Sequence, residues 1–232
     1  MNCVIIQPSY IPWRGYFHQI QKADVFVFYD CVQYDEHGWR NRNQIKTANG
    51  LQWLTIPVVT SGVHRNNTPI KDIRLVPNNP WKTKHWRALE QNYGKAPHFK
   101  RYAAILEKFY SRPDMMLADF TCELTIALAR ELGIKHTQFV RSSTLPASGA
   151  KTDRLLSLLT PLGANHYISG PSARDYLESE KLAAAGISLE FITYDYPAYP
   201  QLHGPFEPAV TVLDLLFNVG PDAAKYIWQK PF

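Results

Sequence analysis

Five consecutive residues from Arg40 onward carry hydrogen-bonding side chains, in the order Arg, Asn, Arg, Asn, Gln. Such a run leaves few positions for a buried core, so it favours ligand recognition over packing. The guanidinium fork of arginine binds phosphate or carboxylate through two parallel hydrogen bonds. Arg40, Arg42 and Asn43 are therefore candidate residues of an anion pocket. The alternative is an exposed polar hairpin in which the arginines pair with Asp35 and Glu36.

Two more substrate-binding candidates, Asp30 and Gln33, precede this run. Asp30 ends a segment that is apolar at nearly every position, and Gln33 lies in the polar loop that follows it. Polar loops after buried strands often carry function. We therefore expect both side chains to face the same ligand as the arginines.

The loop from Gln7 to Tyr16 combines amide, aromatic and proline side chains directly after the first apolar run. Open α/β sheets bind ligands at the carboxyl ends of their strands. Gly15 leaves room for a close backbone approach, and the helix expected after it offers N-terminal amides to an anion. Gln7, Tyr10 and Trp13 are the substrate-binding candidates here. The alternative is that the prolines and Trp13 only cap the edge of the sheet.

A Gly-Pro-Ser segment at 170–172 also follows a short apolar run. Ser172 is a natural helix N-cap that offers a hydroxyl and an amide donor. Arg174 adds a cation two residues later and would extend the anion pocket. As pure structure, the segment is an ordinary helix start and Arg174 is a surface charge.

His203 lies in the segment 196–208, which contains four prolines. A loop this stiff loses little entropy when it is held in one shape, and imidazole is a general acid or base near neutral pH. His203 is the candidate catalytic base, with Glu207 or Asp214 to orient it, and His18 is the second candidate. A hydrogen-bonded structural histidine fits the same spacing nearly as well.

Several specific motifs are missing. There is no GxxxxGK[ST], no GxGxxG after the first strand, no HExxH and no GxSxG, which disfavours phosphate-loop kinases, dinucleotide dehydrogenases and the usual serine hydrolases. The histidines lack metal-ligand spacing, so no metal site is expected, and no cofactor is indicated. The three cysteines include no CxxC pair, which favours a reducing compartment. No apolar run has the character of a signal peptide or a membrane span. A cytoplasmic protein is therefore expected.

The elements that must position these residues alternate between strand and helix at both ends of the chain. The pattern predicts a parallel βαβ unit in the first 30 residues, from a strand at 3–6, a helix at 16–23 and a strand at 24–30. The fold class expected is α/β, with three layers, a mostly parallel sheet and helical and loop insertions in the middle. We expect one domain over 1–232, with a βαβ part at 1–60, a basic helical part at 61–135 and an α/β part at 136–232.

The remaining elements follow from apolar periodicity. Strands are predicted at 53–58, 70–76, 137–141, 166–169 and 188–194, and helices at 82–91, 102–110, 114–132, 151–162, 173–185 and 210–219.

Charge is distributed unevenly along the 232 residues. The net charge is +5 overall, but residues 61–112 carry +8 and residues 113–232 carry −4. A basic segment suggests an anionic ligand or partner. Aromatic residues lie between its lysines and arginines and would suit stacking on a glycan or nucleic acid, namely Trp81, Trp86, Tyr93, Phe99 and Tyr102. The alternative is an ordinary solvated basic surface.

The motifs at 7–17, 30–34, 39–43 and 53–57 resemble the N-terminal half of WbqC-like proteins. The segments 163–164, 167–177, 203–206 and 213–221 resemble the C-terminal half, and Ala209 departs from the family where many relatives carry a polar residue. A more distant likeness is to pantothenate synthetase and other HIGH-type nucleotidyltransferases. This chain carries Pro-Trp-Arg-Gly at 12–15 where those enzymes have HxGH, so ATP activation does not carry over.

The resemblance implies a role in surface-polysaccharide (O-antigen) biosynthesis. We expect transfer of an acyl or aminoacyl group, such as glycine, to an amine on a nucleotide-linked amino sugar. One alternative is a non-catalytic module that binds an anionic sugar, glycan or nucleic acid, although nucleic acid is the less favoured partner. Another is an ATP-dependent amide-forming ligase.

Overall fold

Seven strands are present in the computed structural model, which describes residues 1–113 and 116–228. Five of them form one parallel sheet, in which the first strand lies at the centre. The other two form a separate antiparallel hairpin. The strands are β1 (Asn2–Ile6), β2 (Val25–Phe28), β3 (Arg42–Thr47), β4 (Gly50–Thr55), β5 (Gln138–Arg141), β6 (His166–Ser169) and β7 (Ser188–Phe191).

The helices cover both faces of the parallel sheet. Side chains alternate between the faces of a strand, so Val4 and Phe26 belong to one core cluster while Cys3 and Val27 belong to another. Helices α1 to α4 and α7 pack in the first cluster, and α5 and α6 in the second. The three-layer α/β prediction is confirmed. The helices are α1 (Arg14–Lys22), α2 (Trp81–Tyr93), α3 (Phe99–Tyr110), α4 (Leu117–Glu131), α5 (Lys151–Leu159), α6 (Ser179–Ala184) and α7 (Val212–Val219).

The strand order of the parallel sheet is β5-β2-β1-β6-β7. The chain therefore moves to one side of β1 through β2 and β5, and then crosses to the other side to form β6. The reversal places a topological switch point between β1 and β6, and ligands of open α/β sheets bind outside the carboxyl ends of the strands at such a point.

The segment between β2 and β5 holds the hairpin β3–β4 and the helices α2 to α4. The strand predicted at 53–58 was wrong in its bounds, because the hairpin register ends it at Thr55. The strand predicted at 70–76 was also wrong. Its first residues form a 3-10 turn at Ile70–Asp72, and Leu75 makes a single bridge to Val58. Buried Ile70 and Ile73 are three residues apart, which fits a turn rather than a strand.

The helix predicted at 173–185 is interrupted. A 3-10 turn occupies Pro171–Asp175, and α6 begins only at Ser179. Between them the backbone amide of Glu178 donates to the Thr152 hydroxyl at 3.1 Å, so the chain is tied to α5 instead of continuing as a helix. The prediction of Ser172 as an N-cap was wrong too, because Ser172 lies inside the turn and no side chain caps it.

The other predicted helices are present with shifted ends. The helix predicted from Asp114 begins at Leu117, and Asp114 itself lies outside the described residues. None of the helices in 1–113 and 116–228 has both the length and the apolar character needed to cross a membrane.

Candidate functional site

A cavity of about 560 Å³ lies at the switch point. Ile6 is the last residue of β1, and Ser172 follows β6 by three residues. The volume falls in the range typical of small-molecule sites. The lining residues are Ile6, Ser9, Pro12, Trp13, Tyr16, Gln19, Trp39, Arg40, Asn43, Ser172, Pro208 and Ala209.

Arg40 is the one charged residue in that lining, within the described part of the chain. Its Nη1 donates to the carbonyl oxygens of Gln7 and Pro8, both at 3.3 Å, and to the Ser9 hydroxyl at 3.2 Å. Its Nε pairs with Asp35 at 3.2 Å. Burial lowers the pKa of the guanidinium, and the Asp35 carboxylate opposes this change. Arginine nevertheless stays protonated at neutral pH, so the cavity borders one guanidinium cation. The alternative pairing of Arg40 with Asp35 is therefore also present, through a carboxylate that lies outside the lining.

Asn43 fixes the first loop from its position on β3. Its Nδ2 donates to the carbonyl oxygens of Ile11 at 2.8 Å and Tyr10 at 3.2 Å. Ile11 has a φ of 43°, a left-handed conformation that a β-branched residue rarely adopts. The amide of Asn43 therefore holds a strained turn in place, and the same side chain forms part of the cavity wall.

The indole of Trp13 lies directly against Gly15. A Cβ at Gly15 would come within 2.3 Å of the ring. Tyr194 contacts the same indole edge to face, with ring centroids 4.9 Å apart. Gly15 thus allows a close approach, as the sequence predicts, but the group that approaches is the Trp13 ring.

The last wall comes from the loop before α7, through Pro208 and Ala209. Two backbone hydrogen bonds attach this segment to the rest of the site. The amide of Thr211 donates to the Gln44 carbonyl at 3.0 Å, and the amide of Val212 donates to the Pro12 carbonyl at 2.9 Å.

Sequence reasoning did not single out Trp39, which lines the cavity and is 47% exposed. Its position immediately before the polar run was the available signal. The backbone carbonyl of Trp39 accepts a hydrogen bond from the amide of Tyr10 at 3.1 Å. This bond fixes the Trp39 backbone against the first loop.

The structure brings Trp13, Arg40, Asn43 and Ser172 together and places the other candidates elsewhere. Tyr10 is fully buried, with its hydroxyl 2.8 Å from Nδ1 of His85 and 2.6 Å from the Tyr110 hydroxyl. Tyr10 is therefore part of the core beneath the loop.

Asp30 is also fully buried. It pairs with Arg141 at 2.6 Å and accepts from Ser142 and Ser143. This cluster joins the ends of β2 and β5, on the side of the sheet away from β6.

Four more predicted residues do not line the cavity. Gln7 contributes its carbonyl oxygen to Arg40, while Gln33 is exposed beside a separate surface depression. The two remaining arginines lie over aromatic rings: Arg42 is 4.6 Å from the centroid of Trp53 and Arg174 is 4.8 Å from that of Phe191. Of the three arginines expected in the anion pocket, Arg40 alone borders the cavity, where Asn43 accompanies it.

His203 lies against α2. Its Nε2 donates to the Asn92 carbonyl at 2.9 Å. The two acids expected to orient it have other partners in the described residues: Asp214 accepts from Tyr93 and Gln201, both at 2.8 Å, and Glu207 accepts from the Ala209 amide.

His18 lies on α1, one residue before Gln19 of the cavity lining. Its Nδ1 is 2.9 Å from the Tyr196 hydroxyl, and the Tyr196 ring lies 6.0 Å from that of Trp13. Burial, and then the nearby Lys22 ammonium, lower the pKa of His18. Both effects favour the neutral form of the imidazole.

The basic middle segment uses its aromatic residues for packing. Trp81, Tyr93, Phe99 and Tyr102 are all buried in the core. The expectation that they stack on a glycan or nucleic acid was wrong, because their rings are not accessible. Only Trp86 of that set is partly exposed.

The cavity can bind a ligand that combines an anionic group with flat or apolar parts. Its lining contains hydroxyl, amide and guanidinium groups but, within the described residues, no carboxylate, imidazole, thiol or amine. In the same part of the chain, no three His, Cys, Asp or Glu side chains are grouped as metal ligands.

The chain matches the WbqC-like protein family over residues 7–226. It is 43% identical over 225 residues to "Uncharacterized protein Rv1507c" of Mycobacterium tuberculosis (strain ATCC 25618 / H37Rv), and the match covers 96% of each chain. No solved structure is significantly similar to it. The family match includes every residue of the cavity lining except Ile6. The chain therefore belongs to the WbqC-like protein family.

Proposed function

We propose that this protein binds a nucleotide-linked amino sugar in the switch-point cavity and transfers an acyl or aminoacyl group, such as glycine, to its amine. The observation that carries the proposal is the fixed charge of Arg40 in a cavity that is otherwise aromatic and neutral. A phosphate of the substrate would pair with this guanidinium. The family resemblance supports the choice of an amino sugar and a role in surface-polysaccharide biosynthesis.

The reaction needs an activated acyl donor. The amine lone pair attacks the carbonyl carbon of the donor, the bond to the leaving group breaks, and the leaving group departs with that electron pair. The amine must then lose one proton. We propose His18 as the acceptor, because its lowered pKa favours the neutral imidazole and its partner Tyr196 has its ring centroid 6.0 Å from that of Trp13 in the lining. His203 donates from Nε2 to the Asn92 carbonyl on α2, and it is not among the lining residues.

A second candidate function is non-catalytic binding of an anionic sugar or glycan. The observation in its favour is that the described lining has no carboxylate, imidazole, thiol or amine that could act as a general base. Such a protein would hold the ligand for a partner enzyme rather than change it.

Product analysis separates the two functions. The protein is incubated with UDP- and dTDP-linked amino sugars and with activated acyl or aminoacyl donors, with and without ATP, and amide products are measured by mass spectrometry. Calorimetry with the same nucleotide sugars measures binding. An amide product supports transfer, and binding without product from any donor supports the binding module.

If transfer occurs, His18→Gln should slow it and flatten the acidic side of the pH–rate profile. His203→Gln serves as the comparison, because this imidazole lies against α2. We place the reaction in the cytoplasm, since Cys3, Cys31 and Cys122 are all free thiols, as is usual in a reducing compartment.

A further inference from the structure

Two exposed tryptophans stack beside the cavity. Trp39 is 47% exposed and Trp53 is 43% exposed, and their ring centroids lie 5.4 Å apart with the planes tilted by 32°. Large aromatic side chains are normally buried, and they mark binding sites when they cluster at the surface. Trp39 also lines the cavity, so this pair is continuous with the site.

Arg42 contacts the Trp53 ring of this pair. Its guanidinium carbon lies 4.6 Å from the Trp53 centroid, and the group donates to the His37 carbonyl. The β3–β4 hairpin sets this arrangement, since Gln44 is directly opposite Trp53 and Arg42 is on the same face. Arg42 therefore contacts Trp53, Trp53 contacts Trp39, and Trp39 lines the cavity.

Trp39 is adjacent in sequence to Arg40, the cation that borders the cavity. Arg40 follows Trp39 directly, and both line the cavity. A flat aromatic surface beside a single desolvated guanidinium matches a ligand that joins a planar ring to an anionic group. A nucleoside phosphate has both parts, whereas a sugar phosphate has the anion but no planar ring.

We propose that Trp39 is the stacking platform for the nucleobase of a nucleotide whose phosphate pairs with Arg40, and that Trp53 and Arg42 hold the platform in place. The proposal rests on the proposed function, which it deepens by naming the part of the substrate that each side chain recognises. Base–aromatic stacking tolerates any base, because every base has a π face. Choice among bases would then come from other groups.

Calorimetry with base-containing and base-free ligands tests this. The probes are UMP, CMP, dTMP, GMP and AMP, with ribose 5-phosphate and glucosamine 1-phosphate as base-free phosphates. At least one nucleotide should bind tenfold or more tightly than either base-free probe. Trp39→Ala should remove most of that advantage, by a factor of about 5 to 150, without changing the affinity for ribose 5-phosphate.

Control variants separate stacking from loss of structure. Trp39→Phe keeps a planar ring and should retain part of the advantage, whereas Trp39→Leu should not. Leu51→Ala changes an exposed apolar residue of the hairpin that carries Trp53 and should leave affinity unchanged. Melting temperatures establish that each variant is folded.

The proposal is overturned if folded Trp39→Ala binds nucleotides as the parent does, or if base-free phosphates bind as tightly as nucleotides. It is also overturned if Trp39→Ala weakens the binding of glucosamine 1-phosphate as much as the binding of UMP, because the Trp39 ring would then hold the sugar. Nucleotide binding that depends on Trp39 without any amide product would overturn transfer but support this inference. An amide product formed equally well by Trp39→Ala would support transfer but overturn this inference.

Discussion

Acidification tests the buried contact between Tyr10 and His85. Nε2 of His85 lies 3.2 Å from the Thr55 carbonyl oxygen. A carbonyl can only accept, so Nε2 carries the proton and Nδ1 accepts from the Tyr10 hydroxyl at 2.8 Å. Burial lowers the pKa of His85 to about 4, whereas an exposed imidazole titrates at about 6.5. The folded protein therefore holds this residue neutral.

The magnitude follows from the two pKa values. Each pKa unit corresponds to about 1.4 kcal/mol, so the difference is worth about 3 kcal/mol of unfolding free energy. Because the folded pKa is the lower one, the unfolded chain takes up the proton first as the pH falls. The contribution of His85 is complete above about pH 6.5, decreases toward pH 4 and is lost below it.

Urea unfolding followed by circular dichroism, in steps from pH 7.5 to pH 4, measures this. His85→Gln removes the titration while the carboxylates remain, so the difference between parent and variant isolates the imidazole. The free energy of unfolding of the parent should fall by about 3 kcal/mol more than that of the variant. If the two decline in parallel, His85 is not held neutral in the folded chain and the reasoning is refuted.

Three further substitutions test the site and its surroundings. Gly15→Ala should cost about 1–3 kcal/mol in urea unfolding, because the new Cβ would overlap an indole ring; unchanged stability would contradict that contact. Asp30→Ala should cost about 1–3 kcal/mol, because the Ser142 hydroxyl and the Ser143 amide lose their acceptor while Arg141 keeps its pair with Asp119, and calorimetry should show unchanged affinity because this cluster is separate from the cavity. Arg40→Ala should weaken nucleotide binding by about 1.5–3 kcal/mol; an equal loss in Arg174→Ala would mean that this cavity is not the binding site.

The sequence was informative about elements with a strong apolar pattern. The first two strands and the helix between them were predicted because apolar residues fill nearly every strand position. The helix at Ala173 was predicted as continuous because its break depends on a contact with Thr152 in another element. Such contacts have no local signature.

The candidate site was only partly predictable for the same reason. Arg40, Arg42 and Arg174 all come after predicted strands, yet one lines a cavity and two lie over aromatic rings. An arginine in sequence looks the same in either role. Tyr10 has its hydrogen-bond partners 75 and 100 residues away, so its burial could not be inferred from its loop.

Thr211 and Val212 are hydrogen-bonded to Gln44 and Pro12, and these contacts decide when the folding chain can first bind a ligand. The cavity is assembled from segments more than 160 residues apart in the sequence, so its last wall exists only once the C-terminal segment has docked. A ligand in the cavity would favour the docked state over any locally opened one. Amide hydrogen exchange at Thr211 and Val212 should therefore slow when ligand binds, and chains that end before this segment should lack the binding site even where the parallel sheet has formed.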